Sequence, residues 1–130
     1  MKKLILIIAF ALIGVTAFSQ QVWKFQATSY SSTDEGQDAP TKWYTGYHMI
    51  TITDNSVSLS WSEGSAKWSI VNFKVEGKSI FYTTKTADGI QSYVAVMQMD
   101  NGSSYIVMKR ETDPYSLWFY VIPTNIKRIR

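Results

Sequence analysis

The punctuation of this chain limits what it can become. From Val22 onward, β-branched and aromatic residues recur in runs of five to ten, separated by short polar turn signals, and no stretch sustains apolar residues at helical spacing. That pattern specifies strands. Strands are expected at 22–30, 43–53, 57–62, 67–75, 79–86, 90–99, 103–110 and 116–122. Asp54-Asn55, Glu76-Gly77, Asp88-Gly89 and Asn101-Gly102 supply residues that tolerate positive φ in tight hairpins, and segments 62–65 and 112–115 are slightly longer reversals. Short connections leave consecutive strands little choice except antiparallel pairing.

Eight strands in an uninterrupted meander either leave two edges open or close on themselves. The expected fold is all-β, an eight-stranded antiparallel up-and-down meander closed as a small barrel; the alternative is a two-sheet β-sandwich built from the same strands. Alternation indicates the faces. Val57, Leu59 and Trp61 oppose three serines, and His48, Ile50 and Ile52 share the face opposite Tyr47, Met49 and Thr51. Leu117, Phe119 and Val121 oppose Trp118, Tyr120 and Ile122, so the last strand is apolar or amphipathic on both faces. Its outer side chains either pair across strands or take cover from a loop, a helix or another chain. A membrane-spanning barrel is disfavoured, because the run at 57–62 is too short to span and its alternate face is all serine.

The chain begins differently. Met1-Lys2-Lys3 precedes an uncharged apolar run at 4–18 and then Ser19-Gln20-Gln21. Basic start, apolar middle and small residues Ala17 and Ser19 before a cut are the plan of a secretory signal peptide. Residues 1–19 are therefore expected to leave, with a cut after Ala17 as the alternative, and residues 20–130 to form one domain that is secreted or periplasmic. The apolar run is fifteen residues, shorter than the roughly 20 of a spanning helix, so no stable membrane anchor is expected. The 130-residue chain holds 13 Lys plus Arg against 10 Asp plus Glu; losing Lys2 and Lys3 reduces its formal charge from +3 to +1. Three of the remaining positive charges sit in the last four residues, which leaves no basic face for nucleic acid.

Chemistry has few candidates. Zero cysteines exclude disulfides, thiolate nucleophiles and cysteine metal sites. His48 is the single imidazole, and with no nucleophile motif beside it, catalysis is not expected; the functional version is a polar anchor pointing into a barrel cavity. Segment 28–42 is the one long connection and carries Asp34, Glu35 and Asp38. Its pattern does not match a calcium loop, so it reads as a solvated acidic loop, and no metal or other cofactor is expected. Long loops in small domains often act as lids or binding loops. Flanked by Tyr30, Trp43, Tyr44, Tyr47 and His48, this one is expected over the barrel mouth, where those five residues would hold a ring by stacking and hydrogen bonds. The opposing reading makes the same aromatics a plug at the barrel end.

The leader, the eight-strand meander, Trp23 in the first strand, the long first connection and the Arg128 and Arg130 tail resemble the lipocalin-like, or calycin, group of small secreted barrels. Gln21-Val22-Trp23 stands where that family has G-x-W. The resemblance implies a loop-lidded ligand cavity, with the N-terminal Trp packed against a basic residue from the end of the barrel. A small apolar or aromatic ligand in a non-enzymatic module is the first expectation, provided that Trp61, Trp68, Ile70, Val94 and Phe119 do not together plug the interior. A protein partner, of an inhibitor or envelope-assembly protein, is the alternative, docking on outer residues around Tyr93, Met97, Trp118 and Tyr120. A hydrolase working through scattered carboxylates is least favoured.

Overall fold

The structure, a computed structural model, describes residues 21–34 and 36–129; the expected leader lies outside the described residues. The chain forms β1 (Trp23–Ser32), β2 (Tyr44–Ile52), β3 (Ser56–Trp61), β4 (Gly64–Glu76), β5 (Ser79–Lys85), β6 (Gln91–Gln98), β7 (Ser104–Arg110) and β8 (Leu117–Val121), then a 3₁₀ turn (Pro123–Asn125) and a short β9 (Ile126–Arg128). Every neighbouring pair is antiparallel, and the sheet closes because β1 pairs with β2 on one side and with β8 and β9 on the other. The result is the expected eight-stranded closed barrel, with one extra strand.

Glycine sets the tight reversals where φ must be positive. Gly77 takes φ 57° as the first residue of the two-residue loop between Glu76 and Ser79, the position at which a type II′ hairpin turn calls for glycine. The turn after β2 uses hydroxyl chemistry instead. Thr53 Oγ1 accepts hydrogen bonds from the backbone N–H of Ser56 at 3.0 Å and of Asn55 at 3.3 Å.

Every second side chain points inward. Phe25, Ala27, Ile50, Val57, Ile80, Val94, Val96, Ile106, Phe119 and Val121 are buried from strands all around the barrel and form one core. Trp68 and Ile70 also pack on it, half buried. β1, β3, β5 and β7 start at one end, here the floor, and finish at the other, the mouth, where the β1–β2 loop and the β3–β4, β5–β6 and β7–β8 turns gather.

Two irregularities matter. Between Ala27 and Ser29 the β1–β2 register slips, which reverses the inward alternation of β1. Tyr30 then lies across from the inward Phe119, while Ser29 lies across from Tyr120 on the outside. In β4 the register slips between Ile70 and Asn72, and the strand runs on past the end of β3.

Phe25 is fully buried where β1 meets both β2 and β9. Phe25→Ala is expected to lower stability by about 3–5 kcal/mol, the range for a large core truncation, read as a fall in the urea unfolding midpoint without a change in native far-UV circular dichroism.

Candidate functional site

The floor is filled by side chains, whereas the mouth retains a half-enclosed cavity of about 320 Å³. Its wall is apolar: Trp68 from β4, Val94 from β6, Met108 from β7 and Leu117 from β8. Ser92 from β6 supplies a hydroxyl that is buried and has no hydrogen-bond partner among the described residues. At the opening stand Arg110, Asp113 and Tyr115, with Arg110 Nε donating to Asp113 Oδ2 at 3.0 Å. Trp68 and Val94 face inward as part of this wall, and Ile70 and Phe119 face inward within the core. Trp61 sits at the rim, its ring 6.4 Å from that of His48.

Of the five expected binding residues, three come together. Tyr30, Tyr44 and His48 share the inward side of the mouth, with Tyr30 ring to ring at 5.7 Å from Tyr44 and 4.9 Å from His48. His48 also packs on Phe119 at 5.1 Å. Gly46 makes this possible, because a Cβ there would stand 2.7 Å from Cε1 of the Tyr30 ring. Tyr47 does not join them; it points to solvent and is 68% exposed.

Trp43 leaves the mouth altogether. Its ring lies 5.8 Å from Tyr105, which contacts Trp118 at 5.8 Å and Tyr120 at 5.3 Å, all on the outer wall. The long loop is fastened there at its start. The Thr33 N–H donates to the Ser116 carbonyl at 3.0 Å, the Ser116 N–H donates to Thr33 Oγ1 at 3.0 Å, and the two hydroxyls share a hydrogen bond at 2.9 Å. The Ser31 hydroxyl donates to the Lys42 carbonyl near the loop's other end. Trp43, at the end of the loop, therefore lies on the outer aromatics of β7 and β8 rather than at the mouth, which corrects its expected placement. Glu35 of the acidic cluster lies outside the described residues.

The cavity side chains Trp68, Ser92, Met108 and Leu117 were not singled out together in the sequence. Their signal is the period-2 alternation of four separate strands, which shows that each points inward but not that all sit at one height.

Electrostatically the mouth favours a neutral imidazole. Burial lowers the pKa of His48 below its ordinary 6.5, and the Gly46 backbone partly opposes that effect. An unfolded chain takes up this proton near pH 6.5 and the folded one only at lower pH, so stability present above 6.5 is lost as pH falls through the folded pKa. The His48 ring resonances are expected to titrate with a midpoint below 6.5 by NMR. The urea midpoint of His48→Phe is expected to fall less steeply than that of the parent protein on acidification across the same window.

Comparison of the chain with protein-family models, curated proteins and solved structures returned no match.

Proposed function

We propose that this protein is an exported, non-enzymatic binding module that holds a small apolar or aromatic ligand in the mouth of a lipocalin-like barrel. The observation that carries the reading is the cavity. Its volume of about 320 Å³ falls at the lower end of the range for small-molecule sites, and such sites pair apolar walls with a few placed polar groups. A buried hydroxyl without a partner costs about 1–3 kcal/mol, so Ser92 favours a ligand that brings one hydrogen-bonding group to that depth. Trp68, Met108 and Leu117 suit a ring or a short apolar body. Arg110 at the opening suits an anionic substituent, because Asp113 occupies its Nε alone.

Kinship with the lipocalin-like group is supported by the closed eight-stranded barrel and by the ladder that sets Arg128 directly across from Trp23. The Gln21-Val22-Trp23 triplet remains a departure from that family's pattern. The reading of His48 as a packed polar anchor is supported by its ring contacts with Tyr30, Phe119 and Trp61. A protein partner on the outer aromatic face is less well supported, since Trp43 already engages the Tyr105, Trp118 and Tyr120 cluster.

The test uses 8-anilinonaphthalene-1-sulfonate, an aromatic anion, followed by fluorescence. Saturable one-to-one binding is expected, weakened at least tenfold in Met108→Trp, which fills the cavity, and unchanged within twofold in Trp43→Ala, which lies outside it. No saturable binding, or equal binding by a folded Met108→Trp, overturns the reading. Export is checked separately by intact mass: protein recovered from the periplasm or medium should begin at Gln20.

A further inference from the structure

The second half of β4 is paired on one side only. Its partner β5 continues to Glu76↔Ser79, but the β3 ladder stops at Ser56↔Ser69, and the last backbone bond on that side runs from the Ile70 N–H to the Asn55 carbonyl at 2.9 Å. Along residues 71–76, alternate backbone groups therefore face an open edge with no strand beside it among the described residues. The side chains are unusually apolar for an edge. Val71 is 54%, Phe73 43% and Val75 39% exposed. Natural edges are blunted by proline, brevity or unbalanced charge; here the only basic side chain, Lys74, is neutralised within its own strand by Glu76, Nζ to Oε1 at 2.6 Å.

We propose that this edge pairs antiparallel with the same edge of a second copy, joining two barrels through one continuous sheet. Charge complementarity along the edge favours a second copy as occupant and a register that pairs Lys74 with Glu76. A two-fold axis normal to the sheet keeps each face continuous, so the strands must cross with one residue opposite itself. Centring on Lys74 or on Glu76 sets like charges against each other. Centring on Val75 does the reverse: each Lys74 faces the Glu76 of the second copy, twice over, and the two Val75 side chains meet on the apolar face. Phe73 is then carried toward Gly77 of the second copy, where an aromatic ring meets no side chain. The intrastrand ion pair of each copy, two in all, is exchanged for two interstrand pairs, and the open backbone groups nearest the axis gain partners.

The proposal concerns a face remote from the mouth cavity and is tested apart from it. Sedimentation equilibrium of the purified protein across micromolar to millimolar concentration should show a reversible monomer–dimer equilibrium. Val75→Lys, which places two ammonium groups together at the axis, should weaken association at least tenfold. Lys74→Glu and Glu76→Lys should each weaken it at least fivefold, and the double exchange should return it to within about twofold of the parent. Far-UV circular dichroism and dye binding at the mouth should stay unchanged in all four. A monomer at every concentration overturns the proposal, as does a dimer indifferent to Val75→Lys; a dimer weakened by Val75→Lys but not restored by the double exchange overturns the register.

Discussion

Closure through β1 is the constraint on which the rest of the molecule depends. A meander of eight strands has two ends, and here the first strand receives both: β2 along nearly its whole length, β8 at its mouth half and β9 at its floor half. β8 alone is five residues long, too short to cover a ten-residue strand. The chain solves this by breaking at Pro123, turning through a single 3₁₀ step and resuming beside β1 as β9. Proline suits the break because it cannot donate to a ladder. Without β9, the Trp23–Phe25 end of β1 would expose an edge directly over the most deeply buried aromatic of the core.

Closure also sets the difference between the two ends. At the floor, Trp23 stacks near Phe25, with ring centroids 6.5 Å apart, and β9 buttresses them from the side. At the mouth, hydroxyl and backbone bonds between Thr33 and Ser116 tie the start of the long loop to the β7–β8 turn, and Trp43 at its other end packs on the outer wall. The cavity stays open because of where these polar groups are satisfied. Moving the loop inward would strip partners from Thr33, Ser31 and Ser116, all close to the barrel wall, and buried polar groups left unpaired are costly.

The fold was legible because period-2 alternation and glycine-bearing turns are local signals, repeated across most of the chain. His48 with Ile50 and Ile52 was read on the inner face and is found there. Extending the same alternation back along β2 assigns Tyr44 to the inner face and Trp43 and Tyr47 to the outer one, so part of the correction at the mouth was already written in the sequence. Tyr30 is different. Alternation from Trp23, Phe25 and Ala27 carries it outward, and only the slip at Ala27–Ser29 turns it in; such a slip depends on pairing with β2 and leaves no local trace. β9 was not foreseen because Ile126-Lys127-Arg128 is short, charged and preceded by proline, and its strand state comes entirely from the waiting edge of β1. The long reach of β4 was likewise hidden, since where a strand outlasts its neighbour is decided by the stagger of the closed barrel.

The pairing of β1 with β9 has one more consequence. Because the Ile129 N–H donates to the Val22 carbonyl at 2.7 Å, the first and last strands leave the barrel side by side at its floor, opposite the mouth. A fluorescent tag, a surface tether or a neighbouring domain joined directly before Val22 or after Ile129 would leave from the floor, away from the opening. For the same reason, a few residues would suffice to splice the two ends together, and the chain could be reopened at a hairpin such as Glu76–Ser79 to give a circular permutant with the same barrel.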